Sequence, residues 1–459
     1  LTDSLFSILP ISASLTANLD SLNYQQMTPI QEQSLPPILD GLDLIAKAKT
    51  GSGKTAAFGI GLISKLNPGS YAPQALVLCP TRELSAQTAG EIRRLARHLP
   101  NVKVLTLCGG QPIGPQIGSL EHGADILVGT PGRLIDHLSR RTLNLKQIKT
   151  LVLDEADRML EMGFNEDIRK IIGQIPNRRQ TLLFSATYPD GIRRLSADFQ
   201  KNPVEVRVDE LTSNDQLEQV FYEVGKQTKQ DALIRLMAHY KPSSTVIFCN
   251  TKVCCGELSE YLQEKGFSAE ALHGDLEQKD RDRVLVRFAN QSCPILVATD
   301  VAARGLDIKD LQTVINYELF PKPDVYIHRV GRTGRAGKKG LALSLYDKRE
   351  QRKLDAISKF QGRSLQCKHI DDLPHSPDLT LPPVMTTLCI SGGRKQKIRP
   401  GDILGALTGE AEIAADNVGK IDIFDFWSYV AVKREVAEKA LQRLETGRIK
   451  GRTFKVKFI

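Results

Sequence analysis

Two carboxylates in a row, Asp154 and Glu155, follow directly on the apolar run Leu151-Val152-Leu153. Such a run reads as the end of a buried strand, which would fix both carboxyl groups at a strand tip. Upstream, Ala48-Lys49-Thr50-Gly51-Ser52-Gly53-Lys54-Thr55 reads as a phosphate-cradling loop, with Ala48 where the first glycine usually stands. Gly51 and Gly53 let backbone N–H groups approach phosphate oxygens, Lys54 adds a positive charge, and Thr55 offers its hydroxyl to magnesium. Asp154 is placed to hold the same ion through water, and Glu155 to orient or deprotonate an attacking water. A glycine-rich turn alone need not hold a nucleotide, and an Asp-Glu pair alone can be a solvated cap. Together they predict a site for ATP and Mg²⁺, with hydrolysis at the last phosphate.

These residues need a scaffold that presents strand ends side by side. From Leu42 onward, β-rich runs alternate with amphipathic stretches: Ala75–Cys79, Val102–Cys108, Asp125–Val128, Thr150–Leu153 and Thr181–Phe184 are expected strands, and Glu83–Leu95 an expected helix. Alternation of this kind predicts a parallel sheet covered on both faces, with ligands beyond the carboxyl ends of the strands. Asn202 to Gln219 is polar and acidic and reads as containing a linker. A second series follows, Thr245–Cys249, Ser268–Leu272, Ile295–Ala298, Thr313–Asn316 and Leu341–Ser344, with no glycine-rich phosphate loop at its start. After a proline-bearing break at 366–383, the tail reads β-α-β-β-α-β, the split βαβ or ferredoxin-like order. The expected organisation is a first domain over 1–208, a linker over 209–219, a second domain over 220–365, a linker over 366–383 and a tail domain over 384–459.

Composition sets outer bounds. At 459 residues the chain exceeds one compact core. The formal charge is +9 and the isoelectric point about 9.0, which fits a polyanionic partner. The segment from Thr380 to Ile459 holds 14 basic and 9 acidic residues, so much of the positive surplus lies in the tail. The eight cysteines form no CxxC pair and have no histidine cluster beside them. Zinc is therefore not expected, and a reducing, cytoplasmic compartment is. No stretch approaches the length of a membrane span, and residues 1–15 lack a signal-peptide pattern.

The order of the remaining motifs resembles that of the DEAD-box RNA helicases over nearly all of residues 1 to about 350. Pro80-Thr81-Arg82-Glu83-Leu84, Gly109-Gly110, Thr130-Pro131-Gly132-Arg133 and Ser185-Ala186-Thr187 stand in the family's order. So do His273-Gly274-Asp275, Gln278 with Arg281, Thr299-Asp300, Arg304-Gly305-Leu306-Asp307 and His328-Arg329-Val330-Gly331-Arg332-Thr333-Gly334-Arg335. The resemblance implies two RecA-like α/β domains that close over ATP and RNA. It assigns Gln31 to the adenine, Tyr24 to stacking on the base, and Phe6 to a further aromatic position. Thr50, Gly51, Ser52, Gly53, Lys54 and Thr55 would surround the phosphates. Arg332 and Arg335 would be arginine fingers, with Gly305 and Asp307 beside the nucleotide. Ser185 and Thr187 would couple ATP to RNA. Arg82, Gly110, Thr130, Gly132, Arg133, Gly274, Arg281, Thr299 and Asp300 would contact RNA through its backbone and 2′-hydroxyls rather than its sequence.

The tail resembles the RNA-recognition module of the bacterial DbpA group within this family. Met385-Thr386-Thr387-Leu388-Cys389-Ile390, the run Arg399 to Gly409, and Ile449-Lys450-Gly451-Arg452 carry that likeness. It implies large-subunit (23S) ribosomal RNA as the target, in ribosome assembly, with the chain acting as a monomer. The third tail strand, Trp427-Ser428-Tyr429-Val430-Ala431-Val432, departs from the usual Lys/Arg-Gly-aromatic pattern. Tyr429 is the expected stacking residue, and Lys450 and Arg452, with Arg394, Lys395, Lys397, Lys455 and Lys457, form basic edges. An ATP-gated RNA clamp or assembly scaffold with little unwinding remains open at this level, and a DNA helicase fits the motif set less well.

Overall fold

The computed structural model describes residues 5–48, 51–188, 190–208, 217–303, 311–334, 339–374, 382–409 and 413–459. The chain divides into two compact units, one built by the amino-terminal sheet and the other by the two later sheets.

The first sheet contains β1 (Leu44–Lys47), β2 (Ala75–Leu78), β3 (Val104–Leu107), β4 (Ile126–Gly129), β5 (Thr150–Leu153), β6 (Gln180–Ser185) and β7 (Val204–Arg207). All its pairings are parallel, in the order β3-β4-β2-β5-β6-β1-β7. Its strands are apolar on both faces because helices cover both. Val77, Val128, Val152 and Leu182 enter one core with Phe58 and Ile92, while Leu76, Leu127, Leu151 and Leu183 enter the other with Leu134 and Ile171.

The second sheet contains β8 (Leu217–Glu223), β9 (Thr245–Cys249), β10 (Ala269–Leu272), β11 (Ile295–Thr299), β12 (Thr313–Asn316), β13 (Gly340–Tyr346) and β14 (Gln366–His369), ordered β10-β11-β9-β12-β13-β8-β14 and again parallel. This is the first order repeated strand for strand. The tail forms an antiparallel sheet of β15 (Met385–Ile390), β16 (Val418–Ile423), β17 (Ser428–Lys433) and β18 (Val456–Phe458), ordered β16-β17-β15-β18. Two helices, Pro400–Thr408 and Ala437–Thr446, cover one face of it.

The expected linkers are partly strand. Leu217–Glu223 is β8, which takes up the end of the first linker, and Gln366–His369 is β14, the edge partner of β8, which opens the second. Beyond β14, Ile370 and Leu373 are buried in the second core, so the second domain runs past residue 365.

The uncovered face of the tail sheet packs on the second domain. Cys389 and Tyr429 form a small apolar cluster with Val286, from the helix Gln278–Ala289. The Ser292 and Thr387 hydroxyls lie 2.7 Å apart, and the Lys279 ammonium sits 5.4 Å above the Trp427 ring.

Candidate active site and nucleic-acid interface

The first sheet sorts its chemistry by strand. The phosphate loop follows β1, the Asp154-Glu155 pair follows β5, and Ser185-Ala186-Thr187 closes β6. These three strands are neighbours. Arg82 follows β2, Gly110 follows β3 and Thr130 follows β4, which are the neighbours on the other side. Because every strand is parallel, both groups lie on one edge of the sheet, the nucleotide half beside the proposed RNA half.

The loop after β1 is held in a conformation that only glycine adopts without strain. Gly51 and Gly53 have φ of 88° and 98°. A Cβ on Gly53 would come within 2.6 Å of Gln31 Nε2 and 2.8 Å of Thr28 Oγ1. Gln31 Nε2 donates to the Gly53 carbonyl (3.1 Å), Thr28 Oγ1 donates to the Ser52 carbonyl (2.8 Å), and the Thr28 N–H donates back to Gln31 Oε1 (2.8 Å). Gln31 thus grips the loop backbone as well as capping its own helix, Pro29–Leu39. The Tyr24 hydroxyl donates to Glu91 at 2.5 Å, and the ring meets Phe6 edge-on. Burial and that hydrogen bond raise the Tyr24 hydroxyl above its ordinary range.

Lys54 opens the helix Lys54–Ser64, is 6% exposed, and its ammonium has no protein hydrogen-bond acceptor. Asp154 is 2% exposed, and its Oδ1 likewise lacks a protein donor. Burial pushes the Asp154 carboxyl up to about 6; the Lys54 charge opposes this, and Glu155 and Asp157 reinforce it. A buried carboxylate oxygen without a donor suits a hard divalent cation with oxygen ligands. Glu155 is buried and sits at φ 51° and ψ 51°, a left-handed conformation unusual outside glycine, at the start of the helix Ala156–Glu161.

The sequence reading passed over Asp157. Its Oδ2 accepts from both the N–H and the hydroxyl of Thr187, each at 2.8 Å, and its own N–H donates to Ser185 Oγ at 3.3 Å. The Ala48 N–H donates to the Ser185 carbonyl. Asp157 therefore ties the end of β5 to the end of β6, and Ser185 joins both to the phosphate-loop strand.

On the other half of the edge, Gly110 has φ +74° and no room for a Cβ because the Arg82 guanidinium packs over it. Thr130 begins the helix Pro131–Ser139, Arg133 Nη2 donates to the Gln111 carbonyl at 2.9 Å, and a Cβ on Gly132 would meet open space.

In the second sheet, Gly274 follows β10, Arg281 lies in the helix Gln278–Ala289, and Thr299 ends β11. Asp300 departs from its expected role: Arg329 Nε and Nη2 donate to its two carboxylate oxygens at 2.7 Å each. Arg329, 2% exposed, also donates to Asn250 Oδ1 (2.8 Å) and to the Glu318 carbonyl (2.6 Å). It is a buried hub that organises the ends of β9, β11 and β12. Arg332 is 9% exposed and follows in the next turn. Thr50, Gly305, Asp307 and Arg335 lie outside the described residues.

Tyr429 is also differently placed from expectation. It is 6% exposed, against Val286 and Cys389, so in this arrangement its ring is not offered to a base. The cause is the apolar patch that the tail sheet and the helix Gln278–Ala289 bury together. Lys450 has φ 51° and donates to the Lys397 carbonyl at 3.0 Å, and Arg452 is exposed beside it.

Comparison with known proteins resolves the family. Residues 28–195 match the DEAD/DEAH box helicase family, 228–337 the helicase conserved C-terminal domain, and 387–458 the DbpA RNA binding domain. The chain is 51% identical to the ATP-dependent RNA helicase DbpA of Escherichia coli (strain K12) over 99% of both chains. The chain belongs to the DEAD-box ATP-dependent RNA helicases. Among other members, it is 44% identical to the helicase CshA of Bacillus cereus over 78% of this chain and 69% of that one. Dbp5 of S. cerevisiae bound to RNA and ADP BeF3 superposes with a TM-score of 0.72, at 31% identity, over 80% of this chain and 96% of that chain. As a DEAD-box helicase the chain is an RNA-dependent ATPase with a DbpA-type RNA-binding tail, and its fold is two RecA-like parallel-sheet domains plus a four-stranded antiparallel domain. Among the described residues no helix is long and apolar enough to cross a membrane.

Proposed function

We propose that this helicase separates short RNA duplexes in 23S ribosomal RNA during assembly of the large ribosomal subunit, directed there by its tail, as a cytoplasmic monomer. The observation that carries the reading is the match of residues 387–458 to the DbpA RNA binding domain, on a segment where basic residues outnumber acidic ones.

In this reading the amino-terminal domain supplies most of the nucleotide site. Gln31 and Tyr24 take the adenine, the backbone N–H groups of 50–55 and the Lys54 ammonium hold the phosphates, and Glu155 orients the attacking water and accepts its proton. Thr55 and Asp154 would hold Mg²⁺, which would neutralise phosphate charge when bound. Arg332 and Arg335 complete the site from the second domain and stabilise charge on the transferring phosphate, so hydrolysis requires closure. Fingers of this kind are worth roughly 10³–10⁵ in rate. Gly305 and Asp307 contact the nucleotide from the same domain.

RNA lies along Arg82, Gly110, Thr130, Gly132 and Arg133 on one domain and Gly274, Arg281 and Thr299 on the other, with Asp300 acting by holding Arg329. Ser185 and Thr187, tied to Asp157, link the two occupancies. Lys450 and Arg452 contribute to the tail's RNA surface. The test is steady-state ATP hydrolysis by the full chain with equal concentrations of 23S ribosomal RNA and an unrelated RNA of the same length. A preference for the ribosomal RNA of tenfold or more is expected, and equal stimulation would overturn the assignment of target.

A further inference from the structure

The repeated strand order makes it possible to ask what stands, in the second sheet, where the first carries its acidic tip. In the first sheet Leu78 pairs with Leu153, and the Asp154 N–H donates to the Leu78 carbonyl at 2.9 Å. In the second, Phe248 pairs with Asn316, and the Tyr317 N–H donates to the Phe248 carbonyl at 3.1 Å. By this register Cys249 answers to Cys79, Tyr317 to Asp154 and Glu318 to Glu155. The helix caps correspond too: Thr81 Oγ1 accepts from the Leu84 N–H and Thr251 Oγ1 from the Cys254 N–H, both at 3.2 Å.

At this second tip a Cys249 sulfur, a Cys254 sulfur and a Glu318 carboxylate oxygen all lie within 4.8 Å of one another. Cys249 is buried and the other two are half-buried. We propose that Cys249, Cys254 and Glu318 form a binding site for a thiophilic divalent cation of the zinc class, with the fourth position open to water. Two thiolates and a carboxylate suit a tetrahedral ion with Zn–S near 2.3 Å and Zn–O near 2.0–2.2 Å, so closure needs side-chain movement of about 1 Å. The sulfur ligands select against magnesium, so this is not a second copy of the ATP metal site. Cys254 lies in the first turn of the helix Lys252–Glu264, directly after the loop that leaves β9, which brings its sulfur back over the end of that strand. The Asn250 N–H donates to Glu318 Oε2 at 2.8 Å, orienting that carboxylate from outside. Binding releases the two thiol protons to solvent, and no electron moves.

The ion would sit one residue from the Arg329 hub. Asn250 spends its N–H on the Glu318 carboxylate and its side-chain oxygen on Arg329, which in turn holds Asp300. Drawing the Glu318 carboxylate toward the sulfurs shifts Asn250 and loosens Arg329, three residues before Arg332. Occupancy therefore slows RNA-stimulated hydrolysis, a consequence that rests on the role proposed above for Arg332.

The test titrates the metal-free full chain with Co²⁺ in a phosphine reductant. One equivalent is expected to saturate a thiolate-to-cobalt charge-transfer band that Zn²⁺ then displaces. Cys254→Ser should abolish the band, Glu318→Gln should weaken binding more than about 100-fold, and Cys367→Ser, at an exposed cysteine elsewhere, should leave it unchanged. Circular dichroism and ATPase without added metal ion other than Mg²⁺ check that Cys254→Ser is folded. No band in the wild type, or an undiminished band in folded Cys254→Ser, overturns the site. Separately, saturating Zn²⁺ should slow RNA-stimulated ATPase severalfold in the wild type and not in Cys254→Ser. Equal slowing of both overturns the coupling, while the cobalt band judges the site independently of any helicase role.

Discussion

A carboxylate buried next to two others is costly to ionise, and Asp154 is the case in point. Burial pushes its carboxyl up to about 6, so the folded chain holds that proton more tightly than the unfolded chain does. Stability from this group is present below the ordinary carboxylate range and is lost as pH rises through about 6. The two pKa values differ by about two units, which sets a ceiling of roughly 3 kcal/mol. Asp154→Asn, without nucleotide, is expected to resist urea better than the wild type at about pH 7.5 and to lose that advantage near pH 4. Urea titrations at the two pH values check this; an Asn variant weaker than the wild type at the higher pH would show that the charged form is not the strained one. The phosphate loop and the Asp154-Glu155 pair stand out in the sequence because phosphate and divalent-cation chemistry demands particular residue types at short spacing. Asp157 and Arg329 do not, because what they hold comes from other strands: Thr187 for one, Asn250, Asp300 and Glu318 for the other. The Cys249, Cys254 and Glu318 cluster was half hidden for the same reason: the two cysteines stand close in the sequence, with four residues between them, but Glu318 joins them only through the pairing of β9 with β12.

Elements were legible where burial on both faces wrote an apolar run into the chain. β2, β5, β9 and β12 are such runs, and the structure finds them within a residue or so of where the sequence puts them. The edges lacked that signal. Only Val206 of β7 is buried, and all four residues of β14, Gln366–His369, are exposed. Their strand state comes from backbone pairing to β1 and β8 rather than from their side chains. This has a consequence for where the chain can be cut. A chain ending at Gln361 forfeits β14, the buried Ile370 and Leu373, and the pair between Arg235 and Asp371. Losing two large core side chains costs roughly 2–5 kcal/mol each. A chain ending at Pro374 keeps all of these. Thermal unfolding of the two should therefore differ, with the shorter chain melting several degrees lower. Matching melting temperatures would mean that β14 and the turn after it add nothing to the second domain.

At the scale of the molecule, the tail is joined to the second domain by packed side chains as well as by chain connectivity. Tyr429 and Cys389 bury Val286, and Thr387 meets Ser292, on and just after the helix that carries Arg281. The sequence could not show this, because the contacting face is half polar and reads as an ordinary open sheet face, the one on which a stacking tyrosine is expected. With that face occupied, the proposed RNA contacts of the tail are left to the basic edges around Lys450 and Arg452, and an attraction of that kind is mainly electrostatic in its long-range part. A tether of this kind raises the effective concentration of nearby RNA at a core that reads backbone rather than sequence. Cutting after Pro374 removes the tether without disturbing either RecA-like sheet. That chain is expected to keep ATP hydrolysis stimulated by any RNA at high concentration. It should require at least tenfold more ribosomal RNA for half-maximal stimulation, and its maximal rate should change little. Steady-state ATPase titrations with ribosomal and unrelated RNA, at fixed salt, read both quantities. If the shortened chain still prefers ribosomal RNA to the full extent, selectivity resides in the two RecA-like domains and the tail serves another purpose.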